Sequence, residues 1–137
     1  MNTTKSGYRE IEHTADWELE VWAPSLEALF IQAAQGMMAL SGMQLKPGPR
    51  VEQSFELQSA DNESLLVAFL SELLYLGEQD HLGFERFRVK INHQRLTAQL
   101  SGAPIQSIDK EIKAVTFHRL AILTDENGLR TRLVFDV

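Results

Sequence analysis

Apolar side chains recur at helical spacing in two segments of the chain. The first segment carries them at the i, i+3, i+4 and i+7 positions of an amphipathic helix: Leu26, Leu29, Phe30, Ala33, Ala34 and Met37. Ser25 directly precedes this set and is a favourable N-cap residue, and Gly42 follows it as a favourable C-cap residue. The pattern therefore predicts a helix between Ser25 and Gly42, with one apolar face that another element must cover.

A second apolar stripe follows Asp61, a residue well suited to cap a helix N-terminus. The stripe consists of Leu66, Phe69, Leu70, Leu73 and Leu76. Gly77 stands directly after the last of these leucines, so we expect the helix to end there. Both predicted helices need a sheet, or one another, to cover their apolar faces.

The remaining segments alternate between apolar and polar residues, as antiparallel strands with one polar face do. The predicted strands are Tyr8–Glu12 and Trp17–Val21, a hairpin of Phe87–Ile91 with Leu96–Leu100, and a hairpin of Leu120–Thr124 with Arg130–Val134. Asn127-Gly128 supplies a strong turn signal in the second hairpin. The apolar region around Phe117 also predicts a strand, in which we expect His118 to pack or to form hydrogen bonds.

The order of these elements favours an α+β fold over a doubly wound parallel sheet, because most strands follow the second helix. We expect mainly antiparallel sheet(s) packed against two amphipathic helices in a single domain. The polar run Met1–Gly7 predicts a disordered N-terminal tail, and residues 8–137 form the expected domain. Lys46–Arg50 contains two prolines and predicts a loop within that domain.

The composition excludes several classes of site. The chain of 137 residues has no cysteine, which removes disulfides, thiolate zinc sites, iron–sulfur clusters and cysteine nucleophiles. Its net charge of −6 opposes direct binding to a phosphate backbone. Arg86, Arg88 and Lys90 line one strand face without an aromatic platform, because Phe87 alternates to the other face. No apolar run approaches the ~20 residues of a membrane span, so we expect a cytoplasmic protein without membrane contact.

Two aspartates are candidate metal ligands. Asp16 ends the segment His13–Asp16, just before a predicted strand, and Asp136 follows the last predicted strand. The main-chain carboxylate of Val137 adds a third oxygen group beside Asp136. If the first and last strands are neighbours, these three groups converge and repel one another unless a divalent cation is present. Calcium takes about 6–8 oxygen ligands and magnesium about six, so either ion suits the trio. The alternative is that Asp16 only forms a turn and the chain end frays.

Four segments of the chain together resemble the archease family. They are His13–Asp16, Leu65–Leu76, Ile112–His118 and the closing Val134–Val137, in the order and spacing of that family. The resemblance extends from Tyr8 to Val137. The family pattern has an aliphatic residue and glycine where this chain has Trp17-Glu18, and glycine where it has Arg119.

This resemblance implies a non-enzymatic accessory protein for RtcB-type RNA ligases, which act in tRNA splicing and RNA repair. Such a protein promotes guanylylation of the ligase by GTP and multiple turnover, and meets RNA and GTP only through the ligase. The resemblance implies Asp16, Asp136 and Val137 as metal ligands, with calcium as the expected ion and magnesium or manganese as alternatives. It implies Lys113 as a contact to the ligase or its nucleotide.

Two other functions remain open at this point. An independent metal-dependent phosphate-ester hydrolase needs little more than carboxylates and a divalent ion, although no general base or positioning arginine is apparent beside either motif. A nucleic-acid-binding module would use Arg86, Arg88 and Lys90. The sequence leaves open which metal is physiological, which RNAs the ligase joins, and whether the chain associates with itself.

Overall fold

The computed structural model describes residues 5–11 and 17–137 of the chain. These residues contain two helices, α1 Leu26–Ser41 and α2 Asn62–Asp80. They also contain nine strands: β1 Gly7–Ile11, β2 Trp17–Ala23, β3 Gln44–Leu45, β4 Val51–Gln58, β5 Leu82–Asn92, β6 Arg95–Ser107, β7 Ala114–Thr116, β8 Leu123–Asp125 and β9 Gly128–Asp136. Neither of the two described helices is long and apolar enough to cross a membrane.

The described strands form two sheets in which every pair is antiparallel. The first sheet has five strands in the order β1-β2-β9-β7, with β8 also paired to β9. In the second, β6 pairs with β3, β4 and β5. Because β2 and β9 are neighbours that pair Trp17 with Phe135, the start of β2 lies beside the end of β9.

Helix α1 joins the two sheets through one core. It contacts β1 and β2 of the first sheet and β5 of the second. Its buried side chains include Phe30, which packs against Phe69 of α2 with ring centroids 5.7 Å apart. The predicted caps are confirmed, because the Ser25 hydroxyl accepts the Ala28 N–H and Gly42 adopts a left-handed φ of 68°. The expected α+β fold, with antiparallel sheets and two amphipathic helices in one domain, is confirmed.

The second helix begins as predicted but ends later. Asp61 is its N-cap, and the carboxylate of Asp61 accepts the Ser64 N–H at 2.7 Å. The prediction that Gly77 ends the helix is wrong. The chain continues for almost one more turn to Asp80, and His81 is the C-cap residue, with a φ of 55° and its N–H bonded to the Leu76 carbonyl. Gly77 is thus an interior helical residue, and among the described residues outside this helix an added Cβ would meet Leu82 and Ile105 at 3.6 and 3.8 Å.

The apolar region around Phe117 forms a shorter strand than the sequence predicts. Only Ala114–Thr116 pair with β9, and the side chains of Phe117 and His118 are exposed. The Thr116 hydroxyl accepts the His118 N–H, and the Phe117 carbonyl accepts the Leu120 N–H, so the chain turns away from the sheet. The expectation that the His118 side chain packs or forms hydrogen bonds is therefore wrong for the described residues, since the side chain is exposed and only the backbone N–H of His118 is bonded.

Both predicted hairpins are present, but the strand predicted at Leu120–Thr124 is shorter and lies at Leu123–Asp125. The β5–β6 connection consists of His93 and Gln94, which both have positive φ values, as a tight hairpin turn requires. The β8–β9 hairpin is closed by the pair Asp125 and Gly128. The predicted loop Lys46–Arg50 is confirmed and connects β3 to β4. Gly7, assigned to the tail from the sequence, is the first residue of β1; residues 1–4 lie outside the described part.

Candidate functional site

The segment that contains Lys113 lies along the end of β9. Ile112 and Val115 are buried and anchor the segment in the core, whereas Lys113 between them is exposed. Ala114 pairs with Asp136, and the backbone N–H of Lys113 donates a 2.7 Å hydrogen bond to the Asp136 carbonyl oxygen. The structure thus brings together Lys113 and Asp136, which are far apart in the sequence.

Asp136 presents an open carboxylate at the end of this sheet. Its predecessor Phe135 is fully buried, and the alternation of the strand leaves Asp136 exposed and Val137 half-buried. Among the described residues no cation forms an ion pair with Asp136. The carboxylate is therefore free to act as an oxygen ligand.

Asp16, the other predicted aspartate ligand, lies outside the described residues, as does the rest of the His13–Asp16 segment. The described structure fixes only its neighbour Trp17, whose backbone partner Phe135 directly precedes Asp136. Within residues 5–11 and 17–137, no group of three His, Cys, Asp or Glu side chains is suited to hold a metal ion. The metal trio predicted from the sequence consequently remains a prediction.

A second lysine lies at the same end of the sheet. The Nζ of Lys110 is 5.7 Å from the centroid of the Trp17 ring, within the range of a cation–π contact. The loop before Lys113 is tied to the end of α1, because the N–H groups of Asp109 and Lys110 both donate to the Ser41 carbonyl. Sequence reasoning missed Lys110, since no short-range pattern connects it to Trp17.

A cavity of about 300 Å³ opens beside these lysines, between the two helices and the segment after β6. Its lining is mainly apolar and includes Met37, Met38 and Met43, with Lys110 and Lys113 among the charged residues that border it. Methionine side chains are flexible and polarizable, so they adapt to different apolar partners. The end of the first sheet therefore combines an open carboxylate, two lysines and an adaptable apolar surface.

The class of protein is thus a small α+β domain that exposes a carboxylate and two lysines at one end of a sheet, where another molecule can reach them. Comparison with known proteins then gives the family. The Archease protein family matches residues 8–137, and the chain belongs to that family.

Individual relatives agree over the full length. A protein archease from Methanosarcina barkeri is 34% identical, with 100% of each chain covered. One from Methanothermobacter thermautotrophicus is 30% identical, covering 96% of this chain and 99% of the relative. Among solved structures, an archease from Thermotoga maritima, described as a possible chaperone, has a TM-score of 0.68 at 26% identity and covers 94% of this chain and 96% of its own. The solution structure of a Methanobacterium thermoautotrophicum protein has the same fold, with a TM-score of 0.70 at 24% identity over 96% of this chain and 99% of its own.

Proposed function

We propose that this chain is a non-enzymatic activator of an RtcB-type RNA ligase in tRNA splicing and RNA repair. It promotes guanylylation of the ligase by GTP and thereby sustains multiple turnover. Membership of the archease family supports this proposal, as does the description of the Thermotoga maritima relative as a possible chaperone, which implies a protein partner. The observation that carries it is the exposed pair of Lys113 and Asp136, held together by a backbone hydrogen bond.

The donor set proposed for a divalent cation is Asp16, Asp136 and the Val137 carboxylate. All three supply hard oxygen atoms, which calcium prefers and which magnesium and manganese also accept. The exposed carboxylate of Asp136, which forms no ion pair with a described residue, supports this role. Trp17, the residue that follows Asp16 in the sequence, pairs with Phe135, the residue before Asp136. When bound, a divalent cation supplies positive charge that helps to align GTP phosphates.

Lys113 has a separate task in this proposal. Its side chain is exposed and its backbone is fixed on Asp136, so the ammonium group is presented from a rigid edge. A lysine in that position neutralises a phosphate of GTP or pairs with an acidic residue of the ligase. The net charge of −6 suits encounter with the basic RNA-binding face of such an enzyme, because complementary charge speeds association.

Ligation under turnover conditions tests the proposal. An RtcB-type ligase from the same organism is mixed with excess RNA that carries a 3′-phosphate or 2′,3′-cyclic phosphate and a 5′-hydroxyl end. We expect the protein to raise the number of turnovers, and we expect Asp136→Asn to abolish the increase. Glu126→Gln, an equal charge change in the exposed β8–β9 turn, is the matched control and should activate fully. An unchanged turnover number with the wild-type protein would contradict the proposal.

The alternative, an independent metal-dependent phosphate-ester hydrolase, is tested on the same samples. The isolated protein is incubated with a phosphate ester and calcium, magnesium or manganese. Hydrolysis that disappears with Asp136→Asn but persists with Glu126→Gln would replace the activator proposal. We expect no hydrolysis above background.

A further inference from the structure

The outer face of the second sheet carries a row of three cations on β5: Arg86, Arg88 and Lys90. We call these three residues the basic row. All three side chains are exposed, whereas Phe84 and Val89 of the same strand are buried. Residues two apart on a strand share a face and lie about 7 Å apart. The basic row is thus a straight line of positive charge on a rigid ladder.

A β-bulge sets the direction of these side chains. Phe84 pairs with Gly102 and Arg86 pairs with Ser101, so Glu85 is an extra residue without a partner on β6. The extra residue shifts the alternation of the strand, which turns Phe84 inward and Arg86 outward although they are two residues apart. Without the bulge, Phe84 and Arg86 would point to the same face of the sheet, so an apolar and a charged side chain would share one environment.

The cations of the basic row are not neutralised within the described structure. No ion pair or side-chain hydrogen bond joins any of the three to another described residue. Glu85, the nearest acid in sequence, is bound by Arg50, with Nε 2.5 Å from its carboxylate.

The acidic residues on the same face lie on another strand. Glu52 and Glu56 belong to β4, and β6 separates them from the basic row. Two strand spacings amount to about 10 Å, which is close to the Debye length of about 10 Å at 0.1 M salt. At that distance salt screens much of the attraction, so the three positive charges of the basic row are available to a ligand.

The chemistry beside the row indicates the kind of polyanion that fits. The β6 residues paired with the three cations are Thr97, Gln99 and Ser101, which are neutral hydrogen-bonding side chains. A shallow groove of about 340 Å³ runs beside Arg86 and Arg88, with Gln99 and Ser101 between these arginines and the acidic Glu52 at its far side. Phe87 also borders this groove but is half-buried, whereas the two arginines are exposed, so the face offers charge and hydrogen bonds to a backbone more than it offers a stacking platform to a base.

We propose that the basic row binds the phosphate backbone of single-stranded RNA directly. A flexible strand can match the regular spacing of the three cations, and arginine is well suited to phosphate contacts. The identity of the polyanion rests on the proposed function, in which the ligase holds RNA. In this proposal the protein contacts RNA itself, whereas the family resemblance implies that it meets RNA only through the ligase. Since only three phosphates are contacted in an acidic protein, the binding is weak, independent of sequence and sensitive to salt.

Fluorescence anisotropy with a labelled oligouridylate and the protein alone tests the proposal. Three neutralised phosphates on a single strand give a slope of log K against log salt of about −2, so affinity should fall roughly 15- to 20-fold between 50 and 200 mM salt. The variant with Arg86→Gln, Arg88→Gln and Lys90→Gln should lose at least tenfold in affinity at 50 mM salt. Absence of binding by the wild type, or an unaffected triple variant, would overturn the proposal.

A matched control removes the same charge elsewhere. Arg9, Arg130 and Arg132 belong to the first sheet and pair with Glu20, Asp125 and Glu18 respectively. Their triple replacement by Gln should change RNA affinity less than twofold. An equal loss in both triple variants would show that only net charge matters, and equal affinity for polyglutamate would show a general anion surface. Either result would overturn the proposal.

The other physical role of charged residues on such a strand is to prevent edge-to-edge pairing, because β5 pairs only with β6 among the described strands. In that case the triple Gln variant would aggregate on size-exclusion chromatography while RNA affinity stayed constant, which overturns the proposal.

Stimulation of ligase guanylylation in the absence of RNA separates the RNA-binding proposal from the proposed function as a ligase activator. The basic-row variant should retain that stimulation, whereas failure of the proposed function removes it from the wild-type protein.

Discussion

The backbone N–H of Lys113 donates a 2.7 Å hydrogen bond to the carbonyl oxygen of Asp136. Because this bond uses only main-chain atoms, either side chain can be replaced without breaking it. Both side chains are exposed, so neither contributes to the core. The chemistry of the site can therefore be tested separately from the stability of the fold.

Replacement of Asp136 by Asn is expected to remove metal binding and leave the fold intact. Calcium at about 100 times its dissociation constant should stabilise the wild-type protein by about 2.7 kcal/mol, measured as a rise in Tm. The variant should show little of this rise, whereas its metal-free stability should change by less than about 0.5 kcal/mol, as for other surface replacements. Equal calcium stabilisation of both proteins would contradict the assignment.

Extension of the chain by one residue after Val137 tests the same site without altering a side chain. The extension moves the terminal carboxylate away from Asp136, so calcium stabilisation should weaken although all side chains are retained. A tag placed before Met1 serves as the control and should have no effect. Full calcium stabilisation of the extended protein would remove Val137 from the ligand set.

Lys113 and Lys110 are expected to differ in function although they lie close together. Lys113→Gln should reduce the stimulation of the ligase roughly tenfold or more, since a charged hydrogen bond contributes about 1.5–3 kcal/mol. Lys110→Gln should mainly lower the free energy of unfolding, by about 0.5–1 kcal/mol, through loss of its contact with Trp17. Guanylylation rates and urea unfolding of both variants measure the two effects. Full stimulation by Lys113→Gln would contradict the role given to this lysine.

Much of the fold follows from local sequence. Ser25, Gly42 and Asp61 cap the helices as predicted, because capping depends on a residue's own hydrogen bonds and backbone preference. The end of α2 was mispredicted because Gly77 has a helical conformation here and His81 takes the left-handed one. A glycine permits a left-handed conformation but does not require it.

The exposed side chains after β7 were not predictable from apolar character alone. Phe117 is 58% exposed because the chain leaves the sheet after Thr116. The turn there includes Arg119 with a φ of 53°, a conformation that glycine adopts more readily.

The three candidate metal ligands lie close together only if strands that are far apart in the sequence pair with one another. The sequence alone does not establish which strands pair. We expected the ligands to meet if the first and last strands are neighbours. Among the described strands β1 pairs with β2 instead, and it is the second strand, β2, that lies beside β9 and pairs Trp17 with Phe135. The contact between Lys110 and Trp17 and the ion pair of Arg50 with Glu85 had no local signal, since both depend on how separate loops pack.

Two glycines in the second half of the chain should respond oppositely to replacement by alanine. A Cβ on Gly77 would have no atom nearer than 3.6 Å, so Gly77→Ala should stabilise the protein by about 0.5–1 kcal/mol through better helix propensity. A Cβ on Gly102 would overlap the backbone carbonyl of Gly83 beside the bulge. Gly102→Ala should destabilise by about 3 kcal/mol. Urea unfolding measures both changes, and a stable Gly102→Ala protein would contradict the packing around the bulge.

Acid should weaken the start of α2. The Ser64 backbone N–H, followed by the Ser64 side chain, lowers the pKa of Asp61 below its ordinary value of 3.8. Because the folded pKa lies below the unfolded one, the stabilisation is complete above pH 3.8 and is lost as the pH falls through the folded pKa. Asp61→Asn keeps a capping oxygen that does not titrate, so its Tm should fall less steeply below pH 4. Identical Tm profiles would contradict this role.

The rate of ligase guanylylation tests the central claim most directly. An RtcB-type ligase from the same organism is incubated with labelled GTP and a divalent cation, without RNA, in the presence and absence of this protein. We predict that the wild-type protein accelerates formation of the ligase–GMP adduct, that Glu126→Gln does so equally, and that Asp136→Asn does not. The same guanylylation rate with and without the wild-type protein would contradict the account.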